Sequence, residues 1–182
     1  MMSSSIGVIE FKSISRGIAV ADEMVKKAEV EILQFRNICP GRFLVILAGD
    51  EGAIKTTLDH GIISGQGHVL DSCIINSAHG NIIQALKNRF VSKVNGAIGI
   101  METNTVSSGL KALDRTLKGA NLNLVKLQVA SGISGKIVYI ISGGISDVEY
   151  GMSIAKEVVD DKRIVDISII PSPDEIIIKY LN

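Results

Sequence analysis

Ile6-Gly7-Val8-Ile9-Glu10 returns as Ile98-Gly99-Ile100-Met101-Glu102, an offset of 92 positions, and this repetition decides the fold. The apolar positions Ile14, Ile18, Ala21, Val25 and Ala28 return at the same offset as Val106, Leu110, Leu113, Leu117 and Ala120. Further on, Gly41-Arg42-Phe43 corresponds to Gly135-Lys136-Ile137, and Gly49 to Gly143, at an offset of 94. The second copy has therefore gained two residues. The gain falls where copy one reads Asn37-Ile38-Cys39-Pro40-Gly41 and copy two reads Ala130-Ser131-Gly132-Ile133-Ser134-Gly135. Only the first of these loops carries a cysteine, and a duplicated unit whose copies differ most at one loop has specialised that loop.

The 182 residues divide into two domains of roughly 90 residues each, expected at 5–91 and 96–182. With 46% hydrophobic residues, no Trp and few aromatics, each core must be aliphatic. Nineteen basic residues balance nineteen acidic ones, which removes the electrostatic basis for binding nucleic acid or an anionic membrane surface. Neutrality and aliphatic richness together suit a protein that packs against its own kind. No apolar run approaches the roughly 18 residues that span a bilayer, and Met1 to Ser5 lacks the basic and apolar regions of a secretory signal, so the chain is expected in the cytosol. Two cysteines in a reducing compartment read as free thiols or ligands rather than as a disulfide framework.

Ile6 to Phe11 reads as a strand, with Ser13 or Ser15 capping a helix that runs to about Ala28. The spacing of residues 14, 18, 21, 25 and 28 places them on one helix face, away from Asp22, Glu23, Lys26 and Lys27. Strands follow at Glu31 to Asn37 and Phe43 to Ala48, then a helix capped by Asp50 through about Leu58, then a strand from Val69 to Asn76. His79 to Val91 reads as a packed helical connector. The same order recurs as strand from 97, helix 106 to 120, strands 123 to 129 and 137 to 142, helix 146 to 158 and strand 164 to 170. Each copy is thus an α+β layer, helices on one face of a small, mostly antiparallel sheet.

The familiar enzyme signatures are missing. Gly135-Lys136 lacks the Ser/Thr and the earlier Gly of a phosphate loop, and Gly65 and Gly67 begin a dinucleotide spacing that Leu70 does not finish. There is no Gly-x-Ser-x-Gly elbow, and His60, His68 and His79 lack the spacing of a zinc site, so they read as surface or interface residues. Glu10 and Glu102 have no adjacent His or second carboxylate to tune them, and read as structural hydrogen-bond acceptors.

The Ile-Gly-x-x-Glu opening, the helix with Ala21-Asp22 through Lys26 and Ala28-Glu29-Val30, the Cys39-Pro40-Gly41 loop, the Ala48-Gly49-Asp50 turn and Ile170-Pro171-Ser172-Pro173 resemble the tandem-domain shell proteins of bacterial microcompartments. Within that family the Cys-Pro-Gly loop resembles the PduT type, and the likeness covers nearly all of residues 5 to 175. The resemblance implies two tandem BMC-type domains, with three chains closing into a six-sided, pseudohexameric tile around a pore. It also implies other shell proteins as neighbours, and a structural role rather than an enzymatic one. Lys26 and Lys118, at offset 92, match the family's edge lysine, which meets its counterpart across the boundary between tiles.

By the same resemblance, Asn37, Ile38, Cys39, Pro40 and Gly41 form the pore loop of copy one, and Ser131, Gly132, Ile133 and Ser134 that of copy two. Taken alone, a free cysteine is most often a small buried hydrophobe. Pro40 and Gly41 instead set Cys39 on a tight turn outside any strand. One cysteine per chain cannot hold a cluster, whereas three symmetry-related copies supply three thiolates, leaving one iron of a 4Fe-4S cluster open. In the PduT type this cysteine is the cluster ligand, so the resemblance places that role on Cys39, with one cluster per trimer. Ser131 and Ser134 line the pore without ligating iron well, and Cys73, matched by Ser168, reads as a core residue. The implied task is to pass single electrons across the shell, with a lumen or cytosolic redox protein as partner, or to deliver the cluster to lumen enzymes. Two rivals stay open: a tile whose pore conducts metabolites with no cluster, and a soluble trimeric regulator that binds a small molecule between subunits.

Overall fold

In the computed structural model, which describes residues 4–89 and 92–181, the strands take the same spatial order twice, β2-β3-β1-β4 and β6-β7-β5-β8, all antiparallel. The elements are β1 (Ser5–Phe11), α1 (Ile14–Val25), β2 (Glu31–Ile38), β3 (Arg42–Gly49), α2 (Glu51–Ser64), β4 (Val69–Ile75) and α3 (Gly80–Leu86). Then follow β5 (Ala97–Thr103), α4 (Val106–Gly119), β6 (Asn123–Val129), β7 (Ile137–Gly143), α5 (Ile145–Glu157), a 3-10 turn at Asp161–Arg163, β8 (Ile164–Ile170) and α6 (Glu175–Leu181). The ends expected for the connector helix and first domain at Val91, and for the second domain at Asn182, lie outside the described residues.

The duplication extends to irregularities. The register shifts between Glu10 and Phe11 on β1 and between Glu102 and Thr103 on β5, and again between Ile32 and Gln34 on β2 and between Leu124 and Lys126 on β6. By their contacts the residues form two units. The first runs to Ala78 and includes Thr105–Ser107 and Ala130–Gly135; the second comprises His79–Asn104, Ser108–Val129 and the chain from Lys136 onward.

In the first unit, alternate side chains of β1 and β3 (Ile9, Phe11, Phe43, Val45, Leu47) pack on Val20, Ala21 and Met24 of α1 and on Ile54 and Leu58 of α2. Ser13 caps α1 by accepting the Arg16 amide, and Asp50 caps α2 by accepting the Ala53 amide at 2.7 Å. Gly17 lets α1 lie directly on β3, because a Cβ there would stand 2.7 Å from the Phe43 Cβ. Gly109, its repeat counterpart, faces Ile137 with no more room.

Three expectations need correction. The buried face of α1 is Gly17, Val20, Ala21 and Met24, and Ile18 is exposed, although the stripe holds in α4, where Val106, Leu110, Leu113 and Leu117 are all buried. Helix α2 continues past Leu58 to Ser64, because Gly61 accommodates the Met24 thioether and His60 pairs with Glu23 of α1 at 3.2 Å. The connector helix is one short piece, Gly80–Leu86, capped by His79, whose Nδ1 accepts the Asn81 amide. A helix the repeat spacing did not announce, α6, closes the second unit: Leu181 packs with Val94, Ile100 and Ile170 against Ile98, Val125 and Ile140. Among the described residues, no helix is long and apolar enough to cross a membrane.

Candidate functional site

Strands β2 and β3 stay paired through Ile38 and Arg42, so the chain reverses over only Cys39, Pro40 and Gly41. Asn37 and Ile38, expected in the loop, are the last residues of β2: Asn37 pairs with Phe43, and Ile38 is buried. The Cys39–Pro40 bond is cis, and Gly41 takes φ +69°, a conformation that glycine adopts at no steric cost. Cys39 is exposed, and apart from Gly41 and its chain neighbours no heavy atom of the described residues lies within 4 Å of where a Gly41 Cβ would stand, so the space beside Gly41 is open.

The second loop belongs to the same unit. Ser131, Gly132 and Ser134 are exposed and Ile133 is half-buried. Ala130, Gly132, Ser134 and Gly135 all take positive φ, giving a tightly wound loop. Gly135 sits against the Cys39 carbonyl, where a Cβ would collide, and the Arg36 guanidinium donates to the Ser131 hydroxyl. The two loops that the resemblance names as pore loops thus touch each other, with the sulfur on one and hydroxyls on the other.

On β1, Glu10 is wholly buried. Its Oε1 accepts the Ser107 amide at 2.9 Å and the Ser107 hydroxyl at 3.0 Å, while Oε2 has no partner. Burial pushes the carboxyl up to about 7, against the pull of the Ser107 and Val106 amides, and the charge of Asp71 adds to the rise. Asp71, beside Glu10 in the sheet, accepts the Thr105 hydroxyl at 2.6 Å. Cys73 is half-buried on edge strand β4 rather than in the core, and its thiol donates to the Ser107 carbonyl at 3.3 Å. The structural role expected for Glu10 is what the geometry gives. Glu102 differs, pairing with Lys136 at 2.6 Å on a partly exposed face.

Lys26 is exposed at the end of α1 and pairs with Asp22 at 2.6 Å; Lys118 pairs with Asp114 at the same distance, so the ion pair is duplicated with the lysine. Asp114 also accepts the His79 amide at 2.9 Å. His68 is exposed, and His60 lies between α1 and α2. Among the described residues no three His, Cys, Asp or Glu gather as metal ligands within the chain. The network at Glu10, Asp71, Thr105 and Ser107 was not named from sequence. Its signal was a carboxylate at an inward position of an otherwise apolar strand.

A duplicated four-stranded sheet of order 2-3-1-4, carrying its variation at the β2–β3 turn, defines a tandem α+β class, and the chain belongs to the BMC domain family, which it matches over residues 5–78 and 97–173. It is 35% identical over 175 residues to the bacterial microcompartment shell protein PduT of Citrobacter freundii, covering 96% of this chain and 95% of that one. A microcompartment protein from Desulfitobacterium hafniense DCB, known from its crystal structure, superposes with a TM-score of 0.85 at 31% identity, over 96% of this chain and 97% of its own. The shell protein PduA of Citrobacter freundii is 32% identical over 88 residues, matching 47% of this chain and 95% of itself.

Proposed function

We propose that this chain is a shell component of a bacterial microcompartment in the cytoplasm. Three copies close into a six-sided tile, and the three Cys39 turns meet at its central pore as ligands of one 4Fe-4S cluster. The observation that carries this reading is the exposed Cys39 on a turn with open space beside Gly41, in a chain similar over nearly its whole length to PduT. The residues present suit such a group: the thiol is exposed on a turn whose nearby Gly41 has no side chain to hinder approach, and the polar side chains of the adjoining second loop are the hydroxyls of Ser131 and Ser134, which are poor iron ligands. When bound, the cluster supplies one-electron transfer. The chain's own residues fix the geometry. Gly135 seats the second loop against the Cys39 carbonyl, and Arg36 ties that loop to β2 through Ser131. This is a structural and electron-conducting role with no substrate turned over.

The test is iron and acid-labile sulfide per trimer, with the visible absorption spectrum, on anaerobically purified protein. About four irons per three chains and a brown colour support the cluster. A colourless, iron-free trimer assigns the pore to metabolites.

Lys26 and Lys118 are proposed as tile-edge residues. Replacing both with alanine removes one exposed ion pair, at Lys26, worth well under about 1 kcal/mol, and one at Lys118 whose buried partner Asp114 keeps the His79 amide, so the fold and trimer should survive with some loss of melting temperature. Sheet formation seen by electron microscopy should fall sharply in the same variant. Sheets equal to those of the parent would remove the edge role.

A further inference from the structure

We infer that the Cys39 turn is a docking surface for an acidic protein, with Arg36 and Arg42 as the cations that receive its carboxylates. This rests on the electron-conducting reading above and names the chemistry of the partner, a small one-electron carrier with an acidic surface.

The two copies of the turn differ in charge as well as in sulfur. In the second unit, Lys136 stands just before β7 and pairs with Glu102 of β5 at 2.6 Å. The repeat puts Arg42 and Glu10 at the same two positions of the first unit. There the pair is not made. Glu10 is wholly buried, and its Oε1 is taken by the Ser107 amide and hydroxyl. Arg42 is partly exposed, and among the described residues no carboxylate pairs with it. Copy one also gains a cation, because Arg36 stands where copy two has the neutral Gln128. Their places in the sheet correspond, Arg36 opposite Leu44 and Gln128 opposite Val138.

Both arginines lie on one face. Because Arg36 pairs with Leu44 and Ile38 with Arg42, these four share the side of the sheet opposite to Phe43 and Val45, which pack on α1 and α2. Cys39 is exposed at the turn between the two strands that carry them. Neither Asn37–Gly41 nor Ala130–Gly135 contains a carboxylate, so no side chain of the two loops offsets the charge. A chain of zero formal net charge thus gathers positive charge beside its exposed thiol. The space there is open rather than enclosed, and one exposed ion pair is worth little in water, so a lone small anion would not be held. A protein surface bearing several carboxylates meets all the arginines of a tile together, and complementary fields speed its arrival. Once docked, carrier and cluster exchange one electron, one being oxidised as the other is reduced, with no bond made or broken.

The test measures binding of a small acidic ferredoxin to the full-length, anaerobically purified protein, at low and at high salt. The parent should bind it at low salt and release it at high salt, and a basic cytochrome of similar size should not bind. Arg36→Gln, which installs the residue copy two carries, combined with Arg42→Gln should weaken ferredoxin binding by about tenfold or more at an unchanged iron content. Arg42→Lys keeps the charge and should keep most of the binding. Lys55→Gln with Lys156→Gln removes the same net charge from exposed positions of α2 and α5 and should leave binding as it was. An iron-loaded parent that does not bind the ferredoxin would overturn the docking surface and leave the cluster standing. Binding undiminished in the double-arginine variant, or equal at both salt concentrations, would do the same. An iron-free parent that still binds the ferredoxin through the two arginines would overturn the cluster and leave the docking surface standing.

Discussion

Replacing Cys39 with serine is expected to abolish iron and sulfide binding outright while leaving the fold and the trimer in place. Each chain contributes a single ligand, so one substitution removes all three protein ligands of the cluster at once. A serine hydroxyl is a poor iron ligand at neutral pH and cannot replace the thiolates. The side chain is exposed on a turn, so the exchange of sulfur for oxygen should shift the melting temperature little. Replacing the half-buried Cys73 with alanine should cost a weak hydrogen bond to the Ser107 carbonyl and leave iron content unchanged. Iron per trimer and melting temperature, measured side by side on anaerobic protein, check this. Iron retained in the Cys39→Ser variant would refute the assignment of the cluster to this turn.

The second large effect is a pH dependence of stability carried by Glu10. Its carboxyl is pushed up to about 7, first by burial, so between about 4.5 and 7 the folded chain holds a proton that the unfolded chain has released. The stabilisation is fully present below about 4.5 and is lost as pH rises through 7. The shift corresponds to on the order of 3 kcal/mol between the ends of that window. The parent should therefore melt at a lower temperature at pH 8 than at pH 5. Glu10→Gln keeps an acceptor for the Ser107 amide and cannot ionise, so it should flatten the profile and gain on the parent at high pH. Parallel profiles for the two proteins would show that Glu10 does not titrate in this range.

Much of the fold was legible because the chain states it twice. A strand that carries Ile-Gly-x-x-Glu and is followed by an amphipathic helix is hard to misread when it recurs at a fixed offset, and the helix and strand positions of the second copy follow within a residue or two. The misreadings have physical causes. The stripe through Ile18 looked core-facing because residues 14, 18, 21, 25 and 28 share one helix face by spacing, and the counterpart Leu110 is indeed buried, yet Ile18 itself is exposed in the isolated chain. Helix α2 appeared to end at Leu58 because Asp59-His60-Gly61 breaks the apolar pattern, whereas His60 and Gly61 face Glu23 and Met24 of α1. Helix α6 was missed because Pro171 and Pro173 look like an end to the structure, although Glu175-Ile176-Ile177-Ile178 repeats the frame of α3.

The candidate site was legible in part. Cys39 on its Pro-Gly turn stood out in the sequence, as did its absence from the second loop. The contact of Gly135 with the Cys39 carbonyl and the reach of Arg36 to Ser131 link residues nearly a hundred positions apart, with no motif to announce them. The same holds for the Glu10–Ser107 hydrogen bonds, which only the folded register brings together.

Native mass spectrometry of anaerobically purified protein at micromolar concentration tests the central claim most directly. The account predicts one dominant species at three times the 19.4 kDa chain mass, plus about four irons and four sulfides. A compact single chain at 19.4 kDa, or a trimer of bare polypeptide mass, would contradict it.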